Sequence, residues 1–166
     1  MATITLKGNT IHTSGELPTN GSKSPEFNLV ANDLSTVSLD DYKGSKLVLN
    51  IFPSIDTGIC AMSVHAFNKE VAAMDDTKIL CISRDLPFAQ ARFCGAEGIQ
   101  DAITLSDFAT GSFGRDYGVT ISDGPMKDLH SRAVVVLNEN HEVVYSEQVP
   151  EIVQEPDYQS ALAALK

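Results

Sequence analysis

Apolar and polar residues change period several times along the chain, and each change marks an element. Residues 3 to 13 alternate on either side of Lys7-Gly8-Asn9, as TITL and then TIHT, which predicts a small hairpin turned by Gly-Asn. Residues 14 to 26 are rich in Ser, Gly and Pro and read as a surface connection. From FNLVAND a short strand and turn lead through VSLDDYKGS to KLVLNIF, an apolar run with the composition of a buried strand. After Pro53 the period lengthens: Val64, Phe67, Val71 and Met74 recur at threes and fours, so Ile59 to Met74 is expected to form a helix with one apolar face.

A second strand, KILCIS (78 to 83), precedes a short helix for which Asp85 would be the N-cap, with Pro87 in the first turn and Gly95 and Gly98 at the exit. ITLSD is a candidate short strand and SFGRDYG a short helix at most. AVVVLN (133 to 138) and EVVYSEQV (142 to 149) flank the turn Glu139-Asn140-His141. A last helix, EPDYQSALAALK, places Tyr158, Ala161, Leu162 and Leu165 on one face. The order hairpin, strand, strand, helix, strand, helix, hairpin, helix is that of an α/β, thioredoxin-type domain. Such a domain is a mixed sheet flanked by helices, here carrying an N-terminal β-hairpin over about residues 3–13. The 166 residues fit a single domain, 1–166, without disulfide or metal staples.

Charge narrows the partners. The net charge of −10, from 22 acidic and 12 basic residues, is spread without a basic run, so neither nucleic acid nor an anionic membrane is expected as partner. The first residues lack the basic-then-apolar pattern of a secretory signal, and no apolar run approaches the ~20 residues of a membrane span, so a cytoplasmic location is expected. In that compartment lasting disulfides are rare, and Cys60, Cys81 and Cys94 form no C-x-x-C pair.

The three cysteines differ in setting. Cys81 lies between Leu80 and Ile82 in a strand and reads as a small buried hydrophobe. Cys60 falls in the first turn of a helix fed directly by a strand, where unpaired N–H groups and the positive end of the helix dipole favour a thiolate over a thiol. Thr57, three residues earlier, would place a hydroxyl on the same side as the sulfur, and Pro53 could shield the pocket from water. Cys94, near the end of the second helix, is a packed residue taken alone and a candidate resolving thiol beside a reactive Cys60. For a supporting cation, Arg132 directly precedes AVVVLN. If that strand runs antiparallel to KLVLNIF, its start lies at the edge where Cys60 begins its helix; Arg84 is the alternative. A cysteine hydrolase would need a histidine nearby, but His65 lies about 140° around the helix from Cys60 at ~100° per residue. No cysteine pair has the spacing of a zinc site.

Pro53, Thr57 and Cys60 reproduce the P-x-x-x-T-x-x-C motif of the peroxiredoxins. Together with "NIFPSIDTGIC", "DLPFAQARFCGAEG" and "SRAVVVLNENHEVVYSEQV", they resemble the thiol peroxidase subfamily from about Gly21 to the C-terminus. The resemblance implies a thioredoxin fold and a peroxidase that reduces hydrogen peroxide and organic hydroperoxides. Cys60 would be the peroxidatic nucleophile and Cys94 the resolving cysteine of an intrachain disulfide. Thr57 and Arg132 would hold the peroxide oxygens, and Pro53 would close the pocket. It further implies recycling by thioredoxin, no metal or other cofactor, and a homodimer. The rival reading is a non-catalytic thioredoxin-like binding module in which Cys60 is structural.

Overall fold

The computed structural model describes residues 1–166. Strands β1 (Thr3–Leu6) and β2 (Asn9–His12) pair antiparallel, with Leu6 opposite Asn9. The turn between them is Lys7-Gly8, with φ of 50° and 82°. Two successive positive φ values belong to the type I′ turn, whose twist matches that of the flanking strands. Asn9, read from the sequence as a turn residue, is therefore the first residue of β2. Ile4 and Ile11 pack the hairpin onto Ile121 and Ile152.

The main sheet contains β3 (Asn28–Val30), β4 (Thr36–Ser38), β5 (Lys46–Ile51), β6 (Thr77–Ser83), β7 (Ala102–Ser106), β8 (Ala133–Leu137) and β9 (Val143–Gln148), in the order β4-β3-β7-β6-β5-β8-β9. Strands β5, β6 and β7 are parallel, and the remaining pairings are antiparallel. Parallel neighbours need crossovers. Helix α1 (Gly58–Val71) supplies the first and α2 (Pro87–Glu97) the second. Helices α3 (Ser112–Asp116) and α4 (Tyr158–Ala163) complete the layers. This is the mixed sheet between helices of the thioredoxin fold, with the hairpin added at its N-terminus.

Alternation along β5 divides the core in two. Leu47, Leu49 and Ile51 join Leu80, Ile82, Phe113 and Tyr117 on one face. Val48 joins Ile79, Val134, Val64, Phe67 and Phe93 on the other, beneath α1, α2 and α4. A strand buried on both sides has no polar face to show, which accounts for its apolar run, broken only at the buried Asn50.

Several boundaries move. Helix α1 stops at Val71, and Met74 packs on the same cluster from the following turn. Gly95 lies inside α2, and Gly98, at φ 65°, supplies the left-handed cap that ends it. Asp85 does not cap α2; the N-cap position is Leu86 and has no side-chain bond. The β4 strand and a 3-10 helix over Leu39–Tyr42 are additions to the expected order, SFGRDYG holds the short helix α3, and ITLSD becomes β7, starting one residue earlier.

Candidate active site

The sheet ladder runs one residue past β5, where the Phe52 N–H donates to Ile82 O at 3.2 Å, and stops at buried Pro53, which has no N–H to give. The loop from Ser54 to Thr57 is held by Asp85. Its carboxylate accepts from Ser54 Oγ at 2.8 Å, from the Ile55 N–H at 2.7 Å and from Ser83 Oγ at 2.6 Å. The residue expected to start α2 thus fixes the approach to α1. Both roles use a carboxylate on backbone and hydroxyl donors; proximity through the parallel β5–β6 pairing decides between them.

Thr57 is the N-cap of α1 by backbone position, with φ −96° and ψ 146°, but its hydroxyl donates to Ser54 O at 3.1 Å. The N–H groups of Gly58, Ile59 and Cys60 find no protein acceptor. Such free first-turn donors favour negative charge beside them.

Cys60 is fully buried. Its sulfur accepts from Arg132 Nη1 at 3.3 Å. The arginine arrives there because β8 runs antiparallel to β5 with Ala133 opposite Ile51, so the residue before β8 stands where β5 ends. Arg132 is 2% exposed, and its Nε donates to Ile152 O at 2.6 Å. Its main chain is pinned as well, since Val149 N and Gln148 Nε2 both donate to Arg132 O at 2.9 Å. No carboxylate pairs with this guanidinium. A buried cation without a counter-ion is costly. The sulfur one hydrogen bond away is the group positioned to carry the compensating charge.

A surface cavity of about 440 Å³ opens at this corner. Pro53, Thr57, Ile59 and Arg132 line it together with Leu6, Lys7, Met126 and Ile152. Three of the five residues singled out from the sequence line it, and a fourth, Cys60, lies buried behind its wall, in contact with Arg132.

The fifth, Cys94, does not. It is half-buried on α2, with Sγ 3.7 Å from Thr104 Oγ1, and lines a separate open groove of about 380 Å³ beside β7 and the β3–β4 turn. Cys60 and Cys94 belong to the same core cluster, and all three cysteines are free. Cys81 is wholly buried between them in the sheet. Burial pushes its thiol up to about 12 against the opposing Asn50 contact at 3.8 Å.

Arg84, the alternative cation, donates instead to Asp128 O and Phe108 O, both at 3.2 Å, away from Cys60. No histidine contacts Cys60: His65 pairs with Glu97, His130 with Asp107 and His12 with Asp123, while His141 meets Tyr42 O. One buried link escaped sequence reasoning. Asn50 Nδ2 donates to Ser63 Oγ at 3.1 Å, and Ser63 Oγ donates to Cys60 O at 2.8 Å, tying the first turn of α1 to β5. Its signal was Asn50, the one polar residue inside the apolar run LVLNIF.

Comparison with known proteins agrees with this geometry. The model of the family described as Redoxin matches residues 19–162. The proteins named thiol peroxidase from Mycobacterium tuberculosis (strain ATCC 25618 / H37Rv) and Mycobacterium bovis (strain ATCC BAA-935 / AF2122/97) are each 55% identical over 165 residues, covering 99% of both chains. Among solved structures, a peroxiredoxin-like protein from Aquifex aeolicus superimposes with a TM-score of 0.92 at 34% identity, covering 98% of this chain and 95% of its own. A thiol peroxidase from Chromobacterium violaceum has a TM-score of 0.90 at 20% identity, covering 97% of this chain and 93% of its own, a likeness of fold. The chain belongs to the redoxin family, within its thiol peroxidases.

Proposed function

We propose that this thiol peroxidase reduces hydrogen peroxide and organic hydroperoxides at Cys60. The Cys60 thiolate attacks one peroxide oxygen, the O–O bond breaks, and the products are a Cys60 sulfenic acid and water or an alcohol. The observation that carries this reading is the buried Arg132 guanidinium, which has no carboxylate partner and stands 3.3 Å from the sulfur. Such a donor, fixed before the reaction begins, stabilises both the nucleophile and the charge developing on the leaving oxygen. Thr57 donates to the bound peroxide once its hydroxyl turns away from Ser54 O, and Pro53 keeps water from the reacting sulfur.

Cys94 then attacks the sulfenic sulfur, expelling water and forming an intrachain disulfide with Cys60. Because Cys94 Sγ rests on Thr104 rather than on Cys60, the bond needs the first turn of α1 to loosen. Thioredoxin returns the pair to thiols. The chain acts as one domain, 1–166, in a cytoplasmic homodimer with no cofactor, since displacement at oxygen requires a nucleophile and donors only.

Peroxide consumption coupled to thioredoxin, its reductase and NADPH tests the proposal. Turnover is expected in the parent chain and none in Cys60→Ser. Turnover retained in that variant would rule the mechanism out.

A further inference from the structure

We infer that Glu151 is a positioning residue of the peroxidase site: its carboxylate ties the N-terminal hairpin to the Ile152–Val153 peptide unit, and that unit aims the Arg132 guanidinium at Cys60. The inference rests on the reaction at Cys60 proposed above and gives the hairpin a part in it.

The aim of the guanidinium is set from one side. The group is planar and rigid, so the Nε bond to Ile152 O at 2.6 Å fixes where Nη1 points, which is at Cys60 Sγ, 3.3 Å away. Whatever holds the Ile152 carbonyl therefore holds the donor that faces the reacting sulfur.

That carbonyl belongs to a peptide unit whose other end meets Glu151. Its N–H, on Val153, donates to Glu151 Oε1 at 3.4 Å. The same carboxylate grips the hairpin, accepting from Thr5 Oγ1 at 2.6 Å, from the Lys7 N–H at 2.8 Å and from the Gly8 N–H at 3.0 Å. Backbone bonds reinforce the junction: Thr5 N donates to Pro150 O at 2.8 Å and Ile152 N to Thr5 O at 2.9 Å, while the buried Ile152 side chain packs on Ile4 and Ile11. Ile152 is thus bonded to the hairpin through its N–H and to the arginine through its carbonyl. A carboxylate on the N–H of a peptide also polarises the C=O of that peptide, making it a stronger acceptor. Glu151 touches neither Arg132 nor Cys60, yet its charge reaches the unpaired guanidinium across one peptide bond.

The sign of one measurement separates positioning from plain electrostatics. Removing a negative charge from the neighbourhood favours the thiolate and would move the titration of Cys60 to lower pH. Losing the aim of Arg132 withdraws a charged donor from the thiolate and moves that titration to higher pH.

The test is the pH profile of single-turnover oxidation of the reduced full-length chain by hydrogen peroxide. Glu151→Ala should slow the reaction by about fivefold, the loss of one ordinary hydrogen bond, and shift the midpoint of the profile to higher pH. Glu151→Gln keeps an acceptor for the Val153 N–H and should fall between this variant and the parent; it carries the same comparison if Glu151→Ala does not fold. In an Arg132→Met background, Glu151→Ala should bring no further loss, because a residue acting through Arg132 has nothing left to act on. A parent-like rate in folded Glu151→Ala, a midpoint moved to lower pH, or an equal loss in both backgrounds would overturn this inference alone. A Cys60→Ser chain that reacts as fast as the parent would overturn the reading it rests on as well.

Discussion

Replacing Arg132 by methionine keeps an unbranched apolar stem in the space the arginine occupies and removes the guanidinium. Two interactions disappear: the Nη1 contact with Cys60 Sγ at 3.3 Å and the Nε bond to Ile152 O at 2.6 Å. A hydrogen bond to a charged partner contributes about 1.5–3 kcal/mol. At roughly 1.4 kcal/mol per tenfold in rate, the sulfur contact alone represents about a ten- to hundredfold loss. Arg132 also serves the oxygen that gains charge as O–O breaks, and deleting one such fixed donor costs about 10²–10³ in rate. One guanidinium serves both partners, so the two losses overlap rather than multiply, and the expected loss is on the order of 10²–10³. Stability should change far less. The orphaned Ile152 carbonyl costs about 1–3 kcal/mol, but the variant no longer buries an uncompensated cation. The assay is stopped-flow oxidation of the reduced chain by hydrogen peroxide in a single turnover without reductant, beside thermal unfolding of both proteins. Arg132→Lys should fall between, because one ammonium cannot meet Ile152 O and the sulfur with the geometry of a planar fork. A folded Arg132→Met variant reacting within threefold of the parent would refute the reasoning.

Other predictions concern the surroundings of the site. Cys81, pushed up to about 12 by burial, holds on the order of 10⁻⁵ of its population as thiolate at pH 7, so it should resist alkylation in the native chain; Cys81→Ser should leave turnover within about twofold. Mass spectrometry after iodoacetamide treatment checks the first, and fast labelling of Cys81 would contradict it. Ser63→Ala cuts the link from Asn50 to Cys60 O, and at about 1 kcal/mol should speed exchange of the Ala61 amide, which donates to Thr57 O across the first turn of α1, by roughly fivefold. Unchanged exchange would show that the link does not hold that turn. Glu151 accepts from Thr5 Oγ1 and from the Gly8 and Lys7 N–H groups, which hold its carboxyl down at about 2. A depressed carboxyl stabilises the fold fully above its ordinary value of 4.5, and this contribution is lost as pH falls toward about 2. Glu151→Gln should remove that part of the pH dependence of hairpin docking, followed by the amide resonances of Thr5 and Lys7; an unchanged profile would assign it to other groups.

What could be read from the sequence divides along physical lines. The β5-α1-β6-α2 core was legible because burial on both faces and helical amphipathicity each leave a periodic trace. Arg132 was legible at one remove: antiparallel pairing of β5 with β8 places the start of one strand beside the end of the other. Asp85 was misassigned because capping and tertiary bonding use the same carboxylate chemistry, and only the fold brings Ser54 and Ile55 within reach. Strand β4, at three residues, is too short to carry a period. The Asn50–Ser63–Cys60 link joins residues whose types say nothing of their pairing.

The most direct measurement is a non-reducing peptide map of the purified chain after one equivalent of hydrogen peroxide. The account predicts a single new link, between Cys60 and Cys94 of the same chain, with Cys81 still a free thiol. A chain that consumes peroxide while Cys60 stays unmodified, or that links Cys60 to Cys81, would contradict it.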